Sequence, residues 1–295
     1  MNFSFFKPLA YFDIFDHPLK ISELDQLSSG NNIKNDVQAA IDAKKCFAYK
    51  EYISISKDVE RLVKNRLEKE KRANGYLPKL KSYAKLISKF PFVKGLAVSG
   101  SLSKNVMHDD GDIDYFIITQ KNRLWLCRTL LILFKKVFLL NSRKYFCVNY
   151  FVDEENLEIQ DKNIFTAIEL TYILPIYNSE MISLFLEKNN WVKKEFKPIK
   201  HPIPFEVIKK RKHNVFERIL SGQLGEKLDL FFMGVTIKRW NKKFSHFDAE
   251  KMELTMRSNR GISKHHPSDF QNRVLKEYAK RIEKLNVKDE GIIYS

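Results

Sequence analysis

The 295-residue sequence is poor in three residue types, and each shortage excludes a class of protein. It has three cysteines, 10 glycines and 9 prolines. Cys46, Cys127 and Cys147 show no paired spacing, which excludes a disulfide framework and predicts buried thiols in the cytoplasm. Few glycines and prolines, together with 44% hydrophobic residues, exclude a disordered chain and indicate a compact, mostly helical protein.

A long uninterrupted apolar run is also missing. The longest apolar region, from Leu124 to Leu140, contains Arg128, Lys135 and Lys136, and it falls short of the roughly 18 continuous apolar residues of a spanning helix. It predicts a helix buried on most sides, and no membrane partner is expected. The first residues have neither a basic n-region nor a small-residue cleavage site, so no signal peptide is predicted.

The net charge of +16 is unevenly distributed along a chain long enough for about two domains. Basic residues exceed acidic ones in 57–95 and 193–295, whereas 1–56 and 96–192 are slightly acidic. Basic flanks beside an acidic core suit a polyphosphate or another anionic substrate. A generally lysine-rich surface would produce the same distribution, and the composition leaves both interpretations open.

One stretch, residues 93–119, carries the strongest chemical signal. An apolar run leads into the Gly100-Ser101 turn, and Asp112 and Asp114 precede a second apolar run. Strand side chains alternate between faces, so the two carboxylates are expected to point the same way. Such a pair suits a divalent cation, and Mg²⁺ is usually held by one or two carboxylates together with substrate phosphates. The turn, if it opens a helix, is expected to present N–H groups to a phosphate.

Gly100-Ser101, ten intervening residues and then the Asp112-x-Asp114 pair are similar to the signature of the nucleotidyltransferase superfamily related to DNA polymerase beta. The resemblance implies an α/β (α+β) fold, with a minimal nucleotidyltransferase mixed sheet and flanking helices. It implies that Gly100 and Ser101 bind nucleotide with assistance from Lys104, and that Asp112 and Asp114 are catalytic and ligate Mg²⁺ or Mn²⁺. The implied protein is an enzyme that moves a nucleoside monophosphate from an NTP such as ATP to an acceptor.

The sequence departs from this superfamily at the third carboxylate, which is expected on the strand predicted at 144–152. Asn149 occupies that setting and is assigned the third catalytic position, although its amide carries no charge. Asp153 has the same strand parity and is the first alternative metal ligand. Glu158 and Asp161, on the following loop, are further candidates.

The missing carboxylate leaves two functions open. The first is a nucleotidyltransferase whose acceptor is a protein, an RNA or a small molecule. The second is a catalytically weakened or inactive relative, a regulator that binds nucleotide or a protein or nucleic-acid partner. The two differ in whether a third carboxylate lies beside Asp112 and Asp114 in the fold.

Residues 1–56 resemble a winged-helix module. Helices are predicted at 4–15, from Ser22 and at 33–44, and a hairpin follows within 46–55. The segment has six lysines and no arginine against seven acidic residues. Because phosphate contacts dominate DNA affinity, this balance argues against DNA binding and favours packing or contact with a protein.

The remaining chain is divided into a connecting helix at 57–78 that stops at Gly75, the nucleotidyltransferase core at 79–162 and a helical C-terminal domain at 163–295. Within the last segment Glu169 lies in an apolar run and requires a partner. Residues 257–266 are polar and basic, and a solvent loop is favoured over a phosphate site. The two histidines at the end of this stretch lack a spacing that defines a zinc site.

Overall fold

The structure is a computed structural model, and it is described for residues 4–28, 32–211 and 215–286. Within these residues the fold is α+β, with a five-stranded mixed sheet, a three-stranded antiparallel sheet and surrounding helices. The predicted α/β (α+β) class is therefore confirmed. In the ranges that the structure covers, every helix is too short or too polar to span a lipid bilayer.

The elements are numbered in chain order. The helices are α1 (Phe6–Asp13), α2 (Ile21–Leu27), α3 (Ile33–Asp42), α4 (Val59–Ile87), α5 (Gly100–Ser103), α6 (Leu124–Phe138), α7 (Ile164–Thr171), α8 (Ser179–Lys188), α9 (Val215–Ile219), α10 (Gln223–Lys243), α11 (Ala249–Met256) and α12 (Phe270–Leu285). The strands are β1 (Leu19–Lys20), β2 (Phe47–Tyr49), β3 (Tyr52–Ser54), β4 (Val93–Ser99), β5 (Asp114–Thr119), β6 (Cys147–Asp153), β7 (Leu174–Tyr177) and β8 (Ile262–Lys264).

The N-terminal segment contains the three predicted helices and the predicted hairpin. A short strand, β1, joins the hairpin to give the antiparallel order β1-β3-β2. Helix α1 packs against α12, where Arg281 pairs with Asp13 at 2.9 Å. The Phe12 ring also meets Tyr172 edge-on. Part of this segment's surface is thus used in packing against the rest of the chain.

Helix α4 differs from the prediction, because one 29-residue helix runs through the expected break at Gly75 and through Pro78. A proline inside a helix removes one hydrogen bond and crowds the preceding turn. Tertiary packing outweighs that cost here, because Ala73, Tyr76 and Leu80 are buried on both sides of the proline.

The five-stranded sheet has the order β7-β4-β5-β6-β8, in which β5 and β6 are parallel and the other neighbours antiparallel. Its two faces are covered by separate apolar clusters. Ile117 faces the cluster that contains α4, α6 and α10, whereas Phe116 and Ile118 face the one formed with α1, α7, α8 and α12. This alternation along β5 is the one expected for a strand buried on both faces.

The prediction that residues 163–295 are helical is wrong at two places, because this segment supplies both edge strands of the sheet. Strand β7 contains Pro175, which this edge position tolerates because, in the described residues, the outer side of β7 makes only an isolated bridge between Tyr177 and Ile208. Strand β8 lies within 257–266, a stretch expected to be a loop. The helix predicted at 205–220 is reduced to α9 in the described residues, while α10 and α12 occur where expected.

Candidate active site

Asp112 and Asp114 lie together at the start of β5, as predicted. Only Asp114 belongs to the strand, and Asp112 is in the segment just before it. Cys147 opens the parallel neighbour β6 and is the register partner of Asp114. One carboxylate oxygen of each aspartate and the Cys147 Sγ all lie within 4.8 Å of one another. The side chain beside the aspartate pair is therefore a thiol, which the sequence analysis did not assign.

Asn149 is displaced from the predicted third position by an irregularity in strand pairing. Val148 pairs with Tyr115, and the next pair is Tyr150 with Phe116, so Asn149 is an extra residue between them. Its Nδ2 donates to Cys147 Sγ at 2.9 Å. Asn149 therefore contacts the thiol and lines the same cavity as the two aspartates, and no carboxylate occupies this part of β6.

The alternative third ligand, Asp153, lies at the other end of β6. It pairs with Thr119, five residues along β5 from Asp114, a separation of roughly 16 Å at about 3.3 Å per residue. Its Oδ1 accepts hydrogen bonds from the backbone N–H groups of Glu155 and Asn156 and from Asn156 Nδ2. Assigning Asp153 to the metal is thus inconsistent with the geometry, and this side chain orders a turn instead.

The two later candidates also have other partners. Glu158 is exposed on its loop and pairs with Lys162 at 2.7 Å. Asp161 is buried and accepts from Arg257 at 2.9 Å and from Lys264 at 2.7 Å. The basic residues of 257–266 are therefore partly committed to one carboxylate, and the expected solvent loop is a strand with a buried ion-pair cluster.

The Gly100 turn meets the aspartate pair at close range. Gly100 has a φ of +71°, and a Cβ at this residue would lie 2.7 Å from Asp114 Oδ2. Left-handed backbone and close approach both require glycine. Ser101 follows in the single turn of α5 and lines the same cavity as the two aspartates. The residues that the resemblance assigns to nucleotide and to metal are thus adjacent.

Glu169 supplies a carboxylate from α7 that the sequence analysis flagged only as an acid in need of a partner. Its Oε2 accepts from the Gly100 N–H at 2.9 Å, and its Oε1 accepts from Lys104 Nζ at 2.8 Å. Lys104 also donates to the Gly100 carbonyl at 3.0 Å. Lys104 therefore reaches the predicted turn, but it does so as part of an ion pair with Glu169.

Burial and charge both act on the aspartate pair. Burial is the largest cause that raises the pKa of Asp114 to about 7, and the neighbouring Asp112 is the second. A hydrogen bond from Cys147 opposes this increase in pKa, and Glu169 adds to it. Burial likewise raises the pKa of the Cys147 thiol, helped by the two aspartates. Two close carboxylates with a protonated thiol form a site that gains from a divalent cation, because the cation removes their repulsion.

A cavity of about 420 Å³ extends from the aspartate pair along the face of the sheet that carries α7 and α12. Small-molecule sites commonly have this size. Its lining combines polar residues with the aromatic side chains of Phe116, Tyr150, Phe165 and Phe270. The cavity makes the site accessible to a ligand larger than a metal ion.

The two adjacent histidines differ in their surroundings. His265 packs against Trp240 with the rings tilted by 33° and their centroids 4.9 Å apart, and burial lowers its pKa to about 3. His266 lines the cavity, and burial lowers its pKa to about 4. Both are therefore neutral at pH 7. Among the described residues neither belongs to a cluster of metal-ligating side chains.

Comparisons with protein-family models, with curated proteins and with solved structures gave no match. The evidence for function is therefore the geometry of the site and the pairing of the Gly100-Ser101 turn with Asp112 and Asp114.

Proposed function

We propose that the protein is a divalent-metal-dependent nucleotidyltransferase, which moves a nucleoside monophosphate from an NTP to an acceptor hydroxyl or phosphate. The observation that carries the proposal is the adjacency of Asp112, Asp114 and the Gly100-Ser101 turn in the lining of one cavity. Phosphate-binding turns and paired carboxylates are the parts that phosphoryl transfer requires.

The donor set fits a hard divalent cation. Asp112 and Asp114 offer carboxylate oxygens, the ligands that Mg²⁺ and Mn²⁺ prefer, and the triphosphate supplies further oxygens. Bound there, the ion would neutralise charge on the phosphates. The Cys147 thiol, whose pKa is raised, remains protonated and donates a hydrogen bond toward the carboxylates. In this proposal the two aspartates hold the ion, and Ser101 contributes its hydroxyl to phosphate binding.

Glu169 has two consequences for this chemistry. Its carboxylate accepts from the Gly100 N–H, so a phosphate at the turn competes with it for that donor. In the transfer step the acceptor oxygen forms a bond to the α-phosphorus, the bond to the bridging oxygen breaks, and pyrophosphate leaves. The acceptor proton must pass to a base, and Glu169 is a further carboxylate that lines the same cavity.

A second candidate function is a nucleotide-binding regulator without transfer activity. The specific observation in its favour is that the thiol of Cys147, hydrogen-bonded to Asn149, lies beside the aspartate pair on β6, and that this part of β6 supplies no carboxylate. A site with two carboxylates is expected to capture a Mg²⁺–NTP complex but to hold a second ion poorly. The two functions share the binding site and differ only in catalysis.

Binding and transfer are tested separately. Isothermal calorimetry with Mg²⁺ and each of the four NTPs measures binding to the wild type and to the double variant Asp112→Ala, Asp114→Ala. The matched control is Asp109→Ala, Asp110→Ala, which removes the same charge from two exposed neighbours. We expect the first variant to abolish binding and the control to retain it. Equal binding by the wild type and the Asp112, Asp114 variant would place the site elsewhere.

Transfer is then followed with NTPs labelled at the α-phosphate, offered to protein, RNA and small-molecule fractions. Label that enters an acceptor in the wild type and not in the double variant supports the transferase. Binding of Mg²⁺–NTP with no transfer to any fraction supports the regulator.

A further inference from the structure

The wall of the cavity contains a buried hydrogen-bond donor that has no partner in the described part of the chain. Gln271, the second residue of α12, lines the cavity with 9% of its surface exposed, and its Nε2 makes no hydrogen bond. Leaving such a group unpaired in a folded protein costs about 1–3 kcal/mol. An unpaired buried donor in a cavity wall indicates a ligand that supplies an acceptor.

Lys264 determines which atom of the Gln271 amide faces the cavity. Its Nζ donates to Gln271 Oε1 at 3.3 Å and to Asp161 Oδ2 at 2.7 Å. A lysine ammonium can only donate, so the amide atom beside it must be the oxygen. The NH₂ group is consequently left to donate elsewhere. Lys264 thus orients Gln271, while Asp161 neutralises its charge.

An unpaired acceptor lies close by in the sequence. Asp269, two residues before Gln271, lines the same cavity, and its Oδ1 is buried without a hydrogen bond. The other oxygen of Asp269 accepts only a long contact of 3.4 Å from Asn272. One wall therefore presents a donor and an acceptor, the combination that recognises an edge carrying both an N–H and a lone pair.

Aromatic side chains in the lining of the same cavity suit a flat ring. Phe116 and Tyr150 come from the neighbouring strands β5 and β6, and Phe165 comes from α7. Tyr150 is the register partner of Lys264, so this aromatic lining borders the lysine that orients Gln271.

We propose that this cavity holds the nucleobase of the NTP, with Gln271 Nε2 donating to its edge and Asp269 Oδ1 accepting from it. The proposal rests on the proposed function, because it uses the aspartate pair to place the phosphates. A phosphate or carboxylate group beside Gln271 is disfavoured, because the charge of Lys264 is already paired with Asp161 and because Asp269 adds negative charge. Aromatic walls give the ring its stacking contacts.

Inorganic tripolyphosphate separates the two halves of the site, because it has the phosphates of an NTP and no nucleoside. Calorimetry with Mg²⁺ measures its affinity and that of each NTP for the wild type, for Gln271→Leu and for Gln38→Leu, an exposed glutamine on α3. We expect Gln271→Leu to bind its best NTP about five- to tenfold more weakly, the loss of one hydrogen bond. Tripolyphosphate binding is expected to stay unchanged, and the Gln38 variant to resemble the wild type.

A second variant, together with melting temperatures, separates loss of a ligand contact from loss of folding. Phe165→Leu removes a half-buried ring from the cavity wall, and it is expected to weaken NTP binding and to spare tripolyphosphate. The melting temperature of each variant without ligand establishes that it is folded.

Two results would overturn the inference and leave the phosphate site intact. One is a wild type that binds tripolyphosphate as tightly as every NTP. The other is NTP affinity that neither Gln271→Leu nor Phe165→Leu changes, which would assign the cavity to another molecule such as the acceptor. A wild type that binds neither tripolyphosphate nor any NTP would instead overturn the proposed function.

Discussion

Gly100 and Asp114 are so close that a single methyl group on the glycine would lie 2.7 Å from the aspartate Oδ2. The contact joins the end of β4 to the start of β5, whose residues Ser99 and Asp114 are register partners. The turn cannot move away from the carboxylate without disrupting this pairing. Strand pairing therefore fixes the metal-binding and phosphate-binding parts of the proposed site relative to each other.

We expect Gly100→Ala to lower the free energy of unfolding by about 1–3 kcal/mol, because a left-handed alanine is strained and its Cβ pushes on Asp114. Binding of Mg²⁺–NTP should be lost with it. The matched control is Gly75→Ala, at an exposed helical glycine with no atom within 4 Å of the added Cβ. That change should stabilise the protein by about 0.5–1 kcal/mol. Urea unfolding of both variants measures the difference, and a harmless Gly100→Ala would contradict the described contact.

The raised pKa of Asp114 predicts a specific dependence of stability on pH. The native state holds a proton that the unfolded state loses above about pH 4, and it releases that proton only near pH 7. The contribution of Asp114 to the free energy of unfolding is therefore fully present at low pH and is lost as pH rises from about 4 to 7. The loss is at most about 1.4 kcal/mol per pH unit.

Asp114→Asn isolates this contribution, because asparagine does not titrate. Relative to the variant, the wild type should lose stability as pH rises toward 7, as measured by urea unfolding at several pH values without divalent cations. His265 and His266 have lowered pKa values and contribute the opposite slope, but both proteins share them and the difference removes them. A difference that stays constant with pH would show that Asp114 is ionised throughout.

The ion pair between Lys104 and Glu169 is expected to contribute to stability before any nucleotide binds. Its side chains are only 11% and 21% exposed. Lys104→Met therefore leaves the largely buried Glu169 carboxylate without its cation and should lower the free energy of unfolding by about 1–3 kcal/mol. In a double-mutant cycle with Glu169→Gln, the double variant should lose less free energy of unfolding than the two single variants lose together. The difference is expected to be about 0.5–3 kcal/mol.

A surface pair provides the comparison for this cycle. Lys64 pairs with Glu60 one turn away on α4, with both side chains more than half exposed, and Lys64→Met should change stability by less than about 0.5 kcal/mol. Equal losses from Lys104→Met and Lys64→Met would mean that the Lys104 pair is solvated in solution.

Local patterns predicted those features of the fold that depend on neighbours in sequence. The alternation around Asp114 indicated a buried strand, and the adjacency of Asp112, Asp114 and Gly100 followed from the motif. Helix α4 shows the limit of local rules, because Pro78 is a strong local stop signal that packing at Tyr76 and Leu80 overrides.

The rest of the site depends on contacts between distant residues. Cys147 is the register partner of Asp114, and an irregularity one residue farther along leaves Asn149 without a partner on β5; register of this kind is determined by partners elsewhere in the sheet. Glu169 lies 69 residues from the N–H group that it accepts from. A buried acid in an apolar helix was a usable signal that a partner existed, but nothing in its surroundings identified Gly100 or Lys104.

The extra residue in β6 also predicts how the proposed metal site responds to a third carboxylate. Asn149→Asp adds a negative charge next to Cys147 and the aspartate pair. Without metal, repulsion between the added carboxylate and the aspartate pair should lower the stability at neutral pH. Mn²⁺ should bind about tenfold more tightly, because each further anionic ligand favours the cation. The thermal shift on adding Mn²⁺ should therefore exceed that of the wild type, whereas Asn35→Asp, at an exposed residue of α3, should behave as the wild type does. Unchanged Mn²⁺ affinity in Asn149→Asp would show that this residue lies outside the ion's reach, and the transfer reaction would then depend on Glu169 for any further carboxylate.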